Sequence, residues 1–185
     1  VTSRHAIRSA ARVVRRGGVI AYPTEAVFGL GCLPEDRAAV MRLLRIKRRS
    51  WRKGLILIAA DFTQLEPYVE LPAEPKRGAV LATWPGPHTW VLDARRGTPP
   101  WISGGRAGVA VRVTAHPLAR ELCRLAGSAL VSTSANVSRR PPQRSLIRLR
   151  RDFGRAVDYI LAGPLGDEPR PTRIRDARSG SVLRA

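Results

Sequence analysis

Tyr22-Pro23-Thr24-Glu25-Ala26-Val27-Phe28-Gly29-Leu30-Gly31, preceded by the apolar run Val19-Ile20-Ala21, is the stretch on which the fold turns. The apolar run has the character of a buried strand. Pro23 fixes φ and has no N–H to donate, so the strand should end there. A hydroxyl, a carboxylate and two glycines follow directly. Gly29 and Gly31 permit positive φ or the close approach of a ligand to the backbone. Polar side chains backed by glycine at a strand end are a common way to build a small-molecule site in an α/β protein. Taken alone, the same residues also read as a strand and an ordinary turn, because short motifs match by accident.

Working outward, the spacing of Ile7, Ala10, Ala11 and Val14 predicts a helix over 5–16, ended by Gly17-Gly18. A strand is expected over 19–22. Pro34-Glu35-Asp36 opens a second helix, with Val40, Leu43 and Leu44 inward and an acidic start that suits the helix dipole. It runs toward Lys47-Arg48-Arg49. Leu55-Ile56-Leu57-Ile58-Ala59 is continuous apolar sequence, as expected of a strand buried on both faces. Short helices are expected near 62–67 and 73–82, then the rigid turn Trp84-Pro85-Gly86-Pro87. Strands are predicted at 88–93, 108–113 and 128–132, and a helix at 117–126 with Leu118, Leu122 and Leu125 inward. Residues 145–153 read as a basic amphipathic helix, and short strands are expected near 157–161, 173–176 and 181–184. The stretches 93–107 and 162–173 read as loops, positions that often gate a site. Strands alternating with helices define an α/β class, read as a single domain over 1–185.

Composition bounds the function. With 185 residues the chain is long enough for a substantial core, and 44% hydrophobic with 25% charged residues is ordinary for a globular protein. No apolar run approaches the roughly 20 residues that span a bilayer. Val1-Thr2-Ser3-Arg4-His5 leads into an amphipathic pattern without the apolar core of a signal peptide, so a cytoplasmic protein with no membrane partner is expected. Cys32 and Cys123 form no CxxC pair and no metal spacing; they are expected as buried free thiols, and no protein-held metal is expected. The 33 Lys and Arg against 14 Asp and Glu give a net charge of +19, which attracts polyanions. That charge alone does not separate an RNA binder from an enzyme holding a triphosphate.

Two more segments narrow the choice. Lys47-Arg48-Arg49-Ser50-Trp51-Arg52-Lys53-Gly54 precedes the 55–59 strand and offers alternating cations to an anionic ligand. It also reads as a solvated basic helix end. Ser132-Thr133-Ser134-Ala135-Asn136 follows the strand Ala129-Leu130-Val131, where open α/β sheets bind ligands. Its hydroxyls and amide can donate to phosphate oxygens without adding charge; a serine-rich turn is the alternative.

Together these segments resemble the YrdC/TsaC family, the threonylcarbamoyl-AMP synthases, and in particular its bacterial single-domain members. The resemblance runs through the Pro-Thr-Glu strand end, Lys47-x-Arg49, KGLILI at 53–58, WPGP at 84–87, AVRVTAHP at 110–117, STSAN at 132–136 and IRDA at 174–177. It implies one α/β domain with a twisted mixed sheet flanked by helices around a deep basic cavity. It implies that L-threonine, bicarbonate and ATP, with Mg2+ on the phosphates, give threonylcarbamoyl-adenylate and pyrophosphate. The product would feed threonylcarbamoyladenosine synthesis next to the anticodon of tRNA, with tRNA and downstream modification proteins as possible partners. By the same resemblance Thr24, Arg112, Ser132 and Thr172 would hold threonine, with Arg112 on its carboxylate. Lys47 and Arg49 would be catalytic, neutralising the carbamate and phosphates. Arg49, Lys53, Ser134, Asn136 and Arg184 would lie along the nucleotide, with Pro142 at the wall of its pocket. His5, His88 and His116 are scattered and read as structural.

Four positions depart from the family pattern. Ser50 stands where a proline is usual, Ile58 where longer two-domain relatives have histidine, Ala115 where aspartate is common, and Arg139 where glycine commonly follows Asn-x-Ser. A competing reading is a non-catalytic RNA-binding protein assisting rRNA maturation, supported by the charge and by the basic helix 145–153. It predicts no ATP turnover. A carbamoyl-transfer module of hydrogenase maturation ranks behind both, because the chain has no Cys-rich segment.

Overall fold

Ile20, Tyr22, Ile58 and Leu130 pack into one apolar cluster, while their chain neighbours Val19, Ala21, Leu57 and Val131 pack into another. Side chains on a strand alternate with period two, so these strands form a sheet covered on both faces. The computed structural model describes residues 2–169 and 172–184, with Arg184 given by its backbone alone.

The elements in order are α1 (Arg4–Arg15), β1 (Ile20–Pro23), β2 (Phe28–Gly31), α2 (Arg37–Lys47), β3 (Ile56–Ala59), β4 (Val69–Glu70), α3 (Lys76–Leu81) and β5 (Thr89–Ala94). Then follow α4 (Pro100–Ser103), β6 (Gly108–Val113), α5 (Pro117–Ala126), β7 (Leu130–Ser134), α6 (Leu146–Phe153), β8 (Tyr159–Ile160), β9 (Ile174–Asp176) and β10 (Val182–Arg184). One mixed sheet runs β10-β9-β5-β6-β3-β7-β2-β1-β8, with β4 added beside β5. The pairs β1–β8, β3–β6 and β5–β9 are parallel. The central β3–β7, β7–β2 and β2–β1 pairs are antiparallel.

α1 and α5 cover one face through Ile7, Ala10, Ala11, Val14, Ala119, Leu122, Cys123 and Ala126. Val40, Leu43 and Leu44 of α2, Ile102 of α4, and Leu149 and Phe153 of α6 cover the other. α1 and α2 start where the sequence supplies a side-chain cap. Ser3 accepts from Ala6 N at 3.2 Å and Asp36 from Ala39 N at 2.9 Å. Cys32 and Cys123 are both buried and free.

The structure corrects several expectations. Phe28–Gly31 is a strand, not a glycine-rich site loop: β2 folds back on β1 and pairs with β7 on its other side. Glycine content hid it, because strand pairing overrides weak local propensity. Ser132 and Ser134 lie within β7 rather than after it. The helix expected near 62–67 is one 3-10 turn, Phe62–Gln64, and the predicted loop 93–107 contains α4, which Pro100 opens. The acidic residues before α2 act through Asp36 as its cap, not from within its first turn.

Gly31 is required by packing. A Cβ there would lie 2.5 Å from the Val131 carbonyl oxygen and 2.8 Å from Tyr22 Cε1. The first neighbour is backbone and does not rotate away. Gly31→Ala should lower unfolding free energy by about 1–3 kcal/mol, read as an earlier urea midpoint at unchanged m-value.

Candidate functional site

Register across the sheet brings the separated motifs together. In β3, Ile56 faces Ser132 of β7, and Ile58 faces Arg112 of β6. In β2, Gly29 faces Ser134 of β7. Positions two apart share a face, so Ser132 and Ser134 point to the same side of β7. Gly29 keeps that side open: a Cβ there would lie 3.2 Å from Thr24 Cγ2 and 3.6 Å from Ser132 Oγ. The result is a cavity of about 400 Å3. Thr24, Lys47, Arg49, Lys53, Arg112, Ser132, Ser134, Asn136, Pro142 and Thr172 all line it. The side chain of Arg184 lies outside what the structure describes.

Thr24 sits in the turn between β1 and β2, where its Oγ1 donates to Val27 O at 2.7 Å. Lys47 ends α2 and is only 3% exposed, so the reading of a solvated basic helix end does not hold for it. Its Nζ donates to the carbonyls of Ser134 and Asn136, and at 3.0 Å to Asn136 Oδ1. Ser134 Oγ donates to the same Oδ1 at 2.7 Å, and Asn136 Nδ2 to Arg140 O at 2.6 Å. Arg49 Nη2 donates to Gly54 O at 3.1 Å. Arg112 Nη1 donates to Thr172 Oγ1 at 2.7 Å, which ties the distant segment at 172 to β6.

The sequence reading left two charged lining residues without a role, Glu25 and Arg139. Glu25 is buried, lies 3.3 Å from Arg112 Nη2, and accepts from Thr114 Oγ1 at 2.5 Å. Its signal was available: a carboxylate beside a hydroxyl at a strand end. Arg139 lines the cavity at a φ of 70°, a left-handed conformation that glycine adopts more readily. The other departures lie outside the cavity lining. Ser50 caps the Trp51–Lys53 turn by accepting from Arg52 N at 3.3 Å, and Ile58 is fully buried. His116 caps α5 by accepting from Ala119 N, and its Nε2 lies 3.2 Å from Pro164 O. A neutral ring protonated on Nε2 satisfies both contacts, and burial lowers its pKa in agreement.

An α/β fold with a cation-lined cavity at adjoining strand ends defines a class of anion-handling small-molecule proteins. Comparison with known proteins makes the class specific. A family model named Sua5_yciO_yrdC, described as "Telomere recombination", matches residues 12–185. A protein of Nitrosococcus oceani named threonylcarbamoyl-AMP synthase is 55% identical over 96% of both chains. One of Alkalilimnicola ehrlichii with the same name is 56% identical over 100% of this chain and 97% of its own. The crystal structure of P. abyssi Sua5 complexed with L-threonine superposes with a TM-score of 0.86 at 35% identity. That superposition covers 92% of this chain, which spans 50% of the length of the longer Sua5 protein. The chain belongs to the Sua5/YciO/YrdC family.

Burial, and then the nearby Arg49 charge, lower the pKa of Lys47 to about 8. An unfolded lysine titrates near 10.4. The unfolded chain therefore binds more protons between about pH 8 and 10.4, and in that window stability rises with pH. The burial penalty is fully present below pH 8. Lys47→Met should flatten this rise. Urea unfolding of both proteins at pH 7.5, 9 and 10 checks it; parallel profiles would contradict the assignment.

Proposed function

We propose that this chain is a threonylcarbamoyl-AMP synthase, a nucleotidyltransferase converting L-threonine, bicarbonate and ATP into threonylcarbamoyl-adenylate, pyrophosphate and water. The observation that carries the reading is the gathering of Lys47, Arg49, Lys53 and Arg112 with Ser132, Ser134 and Asn136 around one cavity. The relatives named above support it.

The threonine amine forms an N–C bond with the carbon of bicarbonate as water leaves, or with CO2 as the amine gives up a proton, giving a carbamate. A carbamate oxygen then attacks the α-phosphorus of ATP, and the bond to the bridging oxygen breaks as pyrophosphate leaves. The nucleophile is already an anion, so the step needs alignment and charge compensation more than a strong base. Lys47 and Arg49 supply the compensation. Lys53, Ser134 and Asn136 hold the nucleotide, against a wall that includes Pro142. Thr24, Arg112, Ser132 and Thr172 hold threonine.

Glu25 is the carboxylate of the cavity wall, and it is committed to Arg112 and Thr114. Among the described residues no group of three or more His, Cys, Asp or Glu side chains is placed to hold a metal ion. Mg2+ would enter with ATP on its phosphates, where it would offset their charge. The adenylate serves modification of tRNA beside its anticodon, and the exposed Arg148, Arg150 and Arg151 of α6 are candidates for contact with tRNA. Among the described residues no helix is long and apolar enough to cross a membrane, and the proposed work on tRNA would suit a cytoplasmic protein.

Incubation with ATP, Mg2+, bicarbonate and single amino acids tests the reading. Pyrophosphate release should depend on threonine and exceed that with serine by about tenfold or more, since one methyl contact is worth about 1–3 kcal/mol. Equal release without an amino acid would refute it. Arg49→Ala should lose most turnover, by about a hundredfold as for loss of a transition-state charge donor, with its melting temperature little changed. Near-normal turnover in that variant would remove Arg49 from the mechanism.

A further inference from the structure

The charged side chains lining the cavity are cationic with one exception. Lys47, Arg49, Lys53, Arg112 and Arg139 carry positive charge, and Glu25 alone among the lining residues is acidic. Glu25 is 6% exposed and Arg112 5%. Its two oxygens are used differently. Oε1 accepts from the fully buried Thr114 Oγ1 at 2.5 Å. Oε2 lies 3.3 Å from Arg112 Nη2, an ion-pair distance without hydrogen-bond alignment. On the other side of the guanidinium, Nη1 donates to Thr172 Oγ1 at 2.7 Å.

The backbone fixes this carboxylate from a third direction. Glu168 N donates to Glu25 O at 3.1 Å and Gly166 N to Thr24 O at 3.0 Å. The Arg112 plane is thus set by a buried acid and a hydroxyl. A buried, paired arginine has no solvent screening to blunt either its attraction for anions or its neutralisation by the acid.

We propose that Glu25 is a positioning residue that divides the cavity into two electrostatic ends. By neutralising and orienting Arg112, it makes that end accept one carboxylate of an amino acid and reject polyphosphate. Lys47, Arg49 and Lys53 keep the polyphosphate end. Without Glu25, Arg112 becomes a second strong anion site, and phosphate competes there with threonine. This rests on the placement of threonine at Arg112 proposed above.

The test measures KM for threonine and for ATP, and inhibition by inorganic phosphate, in the wild type, Glu25→Gln, Thr114→Val and Arg112→Gln. In Glu25→Gln the threonine KM should rise about tenfold or more while the ATP KM moves less than about threefold. Phosphate should become competitive with threonine. Thr114→Val, which removes the second anchor of Glu25, should shift both readouts the same way by a smaller step. It serves as the test if Glu25→Gln does not fold. An unchanged threonine KM in the folded variant overturns the proposal. So does a parallel rise in both KM values with a lowered melting temperature, which marks a merely structural role. Arg112→Gln separates the underlying reading: if it leaves the threonine KM unchanged, threonine does not bind at Arg112, and the placement itself falls. If it raises the threonine KM while Glu25→Gln does not, the placement stands and the role of Glu25 falls.

Discussion

The site depends on burying the ammonium of Lys47. A desolvated cation must be met by hydrogen-bond acceptors or lose its proton. Here the acceptors are the carbonyls of Ser134 and Asn136 and the Asn136 amide oxygen. These come from the end of β7 and the loop after it, whereas Lys47 comes from the end of α2. The return contact, Ser138 N donating to Lys47 O at 2.9 Å, closes the junction from the other side. One side chain therefore locks helix, strand and loop together, and in doing so places a hydroxyl, an amide and a cation on one wall. The lowered pKa of Lys47 is the cost of this arrangement, and an anion bound beside it would offset that cost.

The sheet performs the same task at the other end. β3 lies between β6 and β7, parallel to one and antiparallel to the other. That mixed pairing aligns Arg112 and Ser132 on either side of β3, though 20 positions separate them in the chain. Thr24 arrives by a different route, from the β1–β2 turn. The segment after β8 then packs on that turn through Gly166 and Glu168. Loops usually carry function on a rigid scaffold. In this protein Arg112, Ser132 and Ser134 line the cavity from strands, while turns, loops and the end of α2 supply Thr24, Lys47, Asn136 and Thr172.

Much of this was legible in sequence because the signals were local. Periodicity located α1, α2, α5 and α6, and the apolar run at 55–59 located β3, since helical faces and two-sided burial leave patterns a few residues wide. The candidate residues were identified through motifs and resemblance, and the cavity holds each one whose side chain is described. What was missed depends on partners far along the chain. β2 is a strand only because β1 and β7 hydrogen-bond to it; its Phe-Gly-Leu-Gly sequence has weak strand propensity. β4 is a two-residue strand paired to the end of β5, too short for any periodicity. Glu25 stood out as a carboxylate beside a hydroxyl at a strand end, but its pairing was not legible, because Thr114 and Arg112 are brought to it only by β6 and the residue that follows it.

Arg139 shows how the same constraint reaches a position where the resemblance predicts glycine. The loop from Asn136 to Arg140 is anchored at both ends, by the Lys47 contacts and by Asn136 Nδ2 on Arg140 O. Arg140 N donates to Val137 O at 3.0 Å, and Arg139, the third residue of that turn, takes a positive φ of 70°. Glycine would do so without steric cost, whereas a side chain there costs about 1–2 kcal/mol. The loop nonetheless keeps its course, because the anchors on Lys47 and Asn136 are independent of the residue at 139. What the arginine adds in exchange is a further cation on the cavity wall, one residue after Ser138, whose N–H donates to Lys47 O. Arg139 therefore trades backbone ease for positive charge on the wall of a cavity proposed to hold several anions.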